Sequence, residues 1–150
     1  MATTNFDAVQ AASLAGALTG NVTGNVTGNV SGQVSYATAA RTATADGTGT
    51  GTIAAAGMIQ FVTVTSDSAA KIIILPAPTP GTIVILRNGA TGYELRSSAP
   101  ATVAINGGTG ASAQSAIAAS TVVIAICTTA TTWQAIGLAG TTLAAVEAAA

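Results

Sequence analysis

The chain predicts an all-β fold: a small β-sandwich or jelly-roll-like domain with an extended N-terminal repeat arm, assembled as a homotrimer. Three observations lead there. From Met58 onward, short β-branched apolar runs recur between Gly, Pro and Asn turns, the pattern of strands rather than helices. Leu18 to Val34 reads LTGNVTGNVTGNVSGQV, and a glycine in every helical turn would cost roughly 1 kcal/mol each. Only 6% of the 150 residues are charged, against a usual quarter or so.

The repeat makes best sense as an extended strand. Side chains then alternate between faces. One face carries Val22, Val26, Val30 and Val34 with glycines between them. The other carries only Thr, Asn, Ser and Gln. At about 3.3 Å per residue the run reaches roughly 50–60 Å. A single chain has little to cover it with, and its backbone polar groups need partners. Other copies of the same chain supply them, with glycines allowing close approach and valines facing a shared axis. A flexible Gly/Asn/Thr linker is the plainer alternative, but a linker needs no Val at every fourth place. Asn21, Asn25 and Asn29 match the glycosylation acceptor pattern, yet three glycans so close together would prevent that packing.

The remaining segments follow in order. Residues 1–34 form the arm, and Thr4 to Ala17 has weak helical spacing through Phe6, Val9 and Leu14. Residues 35–57, rich in Ala, Thr and Gly, read as a linker. Its Gly47-Thr48-Gly49-Thr50-Gly51 run lacks the Lys-Ser/Thr of a phosphate-binding loop. Residues 58–138 form the β-domain of about seven strands. Expected strands are Met58–Thr65, Lys71–Leu75, Thr82–Arg87, Tyr93–Ser97, Thr102–Ile105, Thr121–Cys127 and Thr132–Leu138. Between them lie Ser66–Ser68, the stiff Pro76–Gly81 turn, Asn88-Gly89, and Asn106-Gly107-Gly108. Ala111 to Ala119 is small-residue filler. Residues 139–150 are a tail, where Thr141 or Thr142 would cap a short helix that needs a docking surface.

Composition narrows function. Net charge is −1, with no His, which leaves no basic patch for nucleic acid. Net charge near zero promotes association, and 49% hydrophobic residues is not a disorder signature. Without His, the usual base of a Ser or Cys triad is missing. Asp7, Asp46, Asp67, Glu94 and Glu147 are scattered and form no metal cluster. No enzyme, catalytic residue, cofactor or metal site is expected. Ile72 to Leu75 is far too short to span a membrane, and the N-terminus has no secretory pattern, so cytosolic synthesis is expected. Cys127 lies in an apolar run and reads as a small core residue. Glu94 and Arg96, two apart on one strand, read as an ion pair, as do Asp67 and Lys71 across a turn.

IIILPAPTPGTIVILRNGA, ATVAINGGTGAS and AASTVVIAICTTATTWQAIGL, within Ile72–Leu138, resemble a β-domain of tailed-bacteriophage virion proteins. The matching parts are Leu75-Pro76, Gly81–Leu86, Asn88–Ala90, Ile105–Gly107, Val122–Cys127 and Trp133–Ile136. The Gly-Asn-Val-Thr repeat is similar to segments of phage tail and head-fibre proteins. The resemblance covers about half the chain. It implies a trimeric virion structural protein: a capsid decoration (cement) protein bound to the major capsid protein on the outer head surface, made in the bacterial host cytoplasm. The alternative is a tail-fibre or head-fibre subunit for host attachment, for which Tyr36, Tyr93 and Trp133 offer few aromatic contacts. The residues expected at trimer or partner contacts are Phe6, Val22, Val26, Val30, Val34 and Arg87, the last at a strand end.

Overall fold

The structure, a computed structural model, describes residues 36–138. It is nearly all β, with no α-helix among the described residues. The strands are β1 (Ala37–Thr42), β2 (Ile59–Thr65), β3 (Ile72–Ile74), β4 (Ile83–Asn88), β5 (Tyr93–Arg96), β6 (Ala104–Ile105), β7 (Ser115–Ile117), β8 (Val122–Thr129) and β9 (Thr132–Leu138). All seven expected strands are present, with ends shifted by a residue or two. Phe6 and the repeat valines Val22, Val26, Val30 and Val34 lie outside the described residues, as does the tail helix expected at residues 139–150.

Two sheets enclose the core. The larger has six strands in the order β1-β2-β4-β8-β9-β6, and the smaller runs β3-β5-β7. The first half of the chain winds between them. It passes from β1 in the large sheet to Thr52, which bridges Ile74 of the small sheet, and returns to β2. It then crosses to β3, back to β4 and over to β5. Each circuit lays a strand parallel to its predecessor: Ala37 faces Gln60, and Gln60 faces Val84. In the small sheet Thr52 faces Ile74, and Ile72 faces Glu94. The chain thus advances by roughly two dozen residues per circuit. A jelly roll would pair these neighbours antiparallel. Here a parallel ladder arises because each crossing to the other sheet brings the chain back to the same end, the geometry a parallel pair requires. The second half closes the stack with antiparallel pairs, β4 with β8, β5 with β7, and the β8–β9 hairpin.

The interior is apolar on both sides. Val62, Val64, Val84, Leu86, Val123, Ala125 and Trp133 from the large sheet meet Ile73, Leu75, Tyr93 and Leu95 from the small one. Trp133 is fully buried and stands across the hairpin from Cys127.

The segment read as a linker contributes to this domain. β1 lies within it, and Ala43 and Ile53 are buried in the core. Alanine, half of β1, has low strand propensity, so β1 depends on its ladder with β2. The filler segment similarly holds β7, which pairs with β5.

Two asparagines replace missing ladder bonds. Asn88, buried at the end of β4, donates through Nδ2 to the Thr91 and Ala118 carbonyls, both at 2.9 Å, and its Oδ1 accepts from Thr121 N at 2.8 Å. Asn106, at φ 51°, donates to Ala135 O and accepts from Ala135 N. It thereby extends the β6–β9 pairing by one more residue.

Asn88→Ala leaves two carbonyls and an amide without these partners, and buried unsatisfied polar groups cost about 1–3 kcal/mol each. Denaturant unfolding is expected to show a loss of about 2–4 kcal/mol, and Asn88→Asp, which sets a buried carboxylate oxygen against the Thr91 and Ala118 carbonyls, is expected to lose at least as much. Gly92→Ala is expected to destabilise as well, since a Cβ there would stand 2.5 Å from Ile117 O.

Candidate assembly surface

The outer face of the large sheet is the unusual surface of this molecule. Registered positions share a face, and the outward positions form three rows. Phe61, Ile85, Ile124 and Ile136 make one row across β2, β4, β8 and β9. Ile59, Ile83, Ile126 and Gln134 make the second. Thr63, Arg87, Val122 and Leu138 make the third. Phe61, Ile136 and Leu138 are 42%, 56% and 57% exposed. Tyr36 packs on Phe61 with ring centroids 6.2 Å apart. Beside them Met58 is 73% exposed, at an apolar groove lined by Tyr36, Ala37, Gly57 and Ile59. A β-sheet face of this kind ordinarily carries polar side chains when water covers it.

Arg87 is exposed at the end of β4, between Thr63 and Val122. It is the single charge in these three rows. Thus, of the contact residues predicted from sequence, the one within the described region does lie on this face, at its polar margin. The face itself was missed. Its signal was present: IQFVTVT, TIVILR and TVVIAIC carry apolar residues at odd and even positions alike, and such two-sided runs belong to strands covered on both faces.

The outside of the small sheet differs. The loop after β1 lies over it, and Gly47, at φ +81°, has room for no side chain: a Cβ would sit 2.6 Å from Ile74 Cγ1. This is the Gly47–Gly51 run. Its own Asp46 carboxylate accepts from Thr48 N at 3.0 Å and from Thr48 Oγ1 at 2.8 Å. Those bonds, the backbone one first, hold the Asp46 carboxyl below its ordinary value. The loop therefore satisfies its donor with a resident anion.

The remaining polar groups are local. Lys71 pairs with Asp67 at 2.8 Å, an exposed contact, and its hydrogen bond lowers the Asp67 pKa. Arg96 donates to Gln114 Oε1 at 2.7 Å, so it turns away from the expected Glu94 partner. A cavity of about 80 Å³ lies between Ser97, Val103, Ile105 and Ser115, against about 300–1,000 Å³ for ligand pockets. Among the described residues no three Cys, Asp or Glu side chains gather to hold a metal, and no helix is long and apolar enough to cross a membrane. Tyr93 and Trp133 lie in the core, which leaves Tyr36 as the exposed member of the three aromatics considered for host contacts. No protein-family model, curated protein or solved structure matches the chain.

Burial raises the pKa of Cys127 and, more strongly, that of Tyr93. Both groups stay neutral in the fold while the unfolded chain ionises at ordinary values. The unfolded state then holds fewer protons, so stability is full below the usual thiol range and falls as pH rises beyond it. Melting temperature is expected to fall between about pH 7 and about pH 10.5, which brackets ordinary thiol and phenol ionisation. The Tyr93 hydroxyl is buried with no hydrogen-bond partner among the described residues. Tyr93→Phe is therefore expected to keep or raise the neutral-pH melting temperature and to blunt the alkaline fall.

Proposed function

We propose that this chain is a structural subunit of a tailed-phage virion: a homotrimeric capsid decoration protein that binds the assembled head and stabilises it. One observation carries the reading. The β-domain has a complete core of its own, yet it presents a second apolar sheet face, with Arg87 as its single charge. The largest exposed apolar patch on a protein, typically a few hundred Å², is often a functional surface. The resemblance at Ile72–Leu138 and the valine-glycine repeat supply the virion setting, and the low charge suits a chain that spends its working life in an assembly.

In this reading the arm binds the shell and the β-domain projects from it. The work is binding rather than catalysis. A subunit that binds only the assembled shell stabilises it by RT ln(1 + [L]/Kd), about 2.7 kcal/mol at a hundredfold excess over Kd. Three arms engaged together add avidity through effective concentration. A fibre subunit is the second reading, favoured by the stacked parallel circuits of the β-domain, which add length along one axis.

Deleting residues 1–34 is expected to abolish co-sedimentation with phage heads while circular dichroism retains the β signal. Undiminished co-sedimentation of the truncated protein refutes the arm's role. Negative-stain images of particles with and without the protein separate the readings: added density on the head supports decoration, and density on the tail supports the fibre.

A further inference from the structure

We infer that the outer face of the large sheet is where copies of this chain meet one another, centred on the row Phe61, Ile85, Ile124 and Ile136. The inference rests on the assembly reading above and names the partner of this face: further copies of the same chain, and not the capsid shell.

Charge selects the occupant. Arg87 is the only charged side chain in the three rows, and it lies in the outermost one. A partner bearing charges would find nothing here to pair with, and its desolvated ions would cost free energy. A second copy brings the same uncharged isoleucine surface.

The sheet edges point to the face as well. β1 ends the large sheet on one side, and Arg41 occupies an inward position there, opposite Val64. An inward-pointing charge on an edge strand opposes pairing with another strand. The other edge, β6, has two residues, and Asn106 caps its ladder. Edge-to-edge growth is thus blunted on both sides, and face-to-face contact is not.

Area and chain direction complete the case. With strands about 4.8 Å apart and residues about 3.3 Å along each, the three rows cover roughly 300–400 Å². A stable pair needs about 800 Å² from each partner. The rest has to come from adjoining chain, and both ends of the described chain lie on this face, at Tyr36 and Leu138. Residues 1–35 precede and 139–150 follow.

The test is sedimentation velocity on the full chain and on the double variant Phe61→Ser, Ile136→Ser, both at exposed positions. The wild type is expected to run as a trimer. The variant is expected to run as a monomer at the same concentration, with its dissociation midpoint raised at least tenfold. Buried Cys127 reports folding in the same samples, since it should resist a thiol reagent until the chain is unfolded. A variant that remains a trimer overturns the inference and leaves the decoration reading standing, and so does a trimeric variant that loses head binding. A wild type that stays monomeric at every concentration overturns both. If Cys127 of the double variant reacts freely, a full-length Ile136→Cys chain replaces it. Its new thiol is expected to label at least tenfold more slowly in the oligomer than after dilution to monomer, and equal rates overturn the inference.

Discussion

One constraint governs this molecule: a β-sheet with two apolar faces needs two coverings, and the small sheet provides one. Val84 and Leu86 point inward from β4 and are fully buried. Ile83 and Ile85 alternate with them and point outward. The same strand is therefore committed on one side and bare on the other. A polar residue at Ile85 would satisfy the isolated domain as well, so folding of the single chain does not require an isoleucine there. The proposed association would require it.

The winding path of the first half explains how so small a chain builds a wide sheet. Parallel strands need a long connection to return the chain to its starting end, and helices usually provide it. Here the connection is itself a strand or bridge of the opposite sheet, so each circuit adds to both walls of the core. The arrangement tolerates weak strands. β1 is Ala-Thr-Ala-Ala-Arg-Thr, and it holds its place through the ladder to β2. Where a circuit ends, side-chain amides take over from the ladder. Asn88 ties β4 to the segment entering β8, and Asn106 lengthens β6.

Thr82 to Arg87 was legible in the sequence because Pro80-Gly81 and Asn88-Gly89 bound it, and Thr121 to Cys127 because its β-branched apolar run is unbroken. β1 and β7 were not, because alanine, serine and threonine are as common in linkers as in edge strands. Strand direction was hidden for a different reason. Periodicity identifies a strand and its faces but says nothing of its neighbour, so parallel stacking emerges only from the registers. Of the candidate contact residues, Arg87 was legible as a strand end. The apolar row beside it follows from β8, whose Val122, Ile124 and Ile126 point outward in a run that is apolar at every position, the mark of a strand covered on both faces.

Low charge and blunted edges act together. A chain of net charge −1 has little long-range repulsion to keep copies apart, so its contacts must be limited by shape. An open sheet edge is the dangerous one, because backbone pairing accepts almost any strand and can repeat without end. Arg41 on the inner side of β1 and the two-residue β6 oppose that mode. In the proposed assembly the outer face, once covered by other copies, would offer nothing to a further chain. Face-directed association closes, whereas edge-directed association propagates. The proposed shell subunit would need the first mode and have to avoid the second.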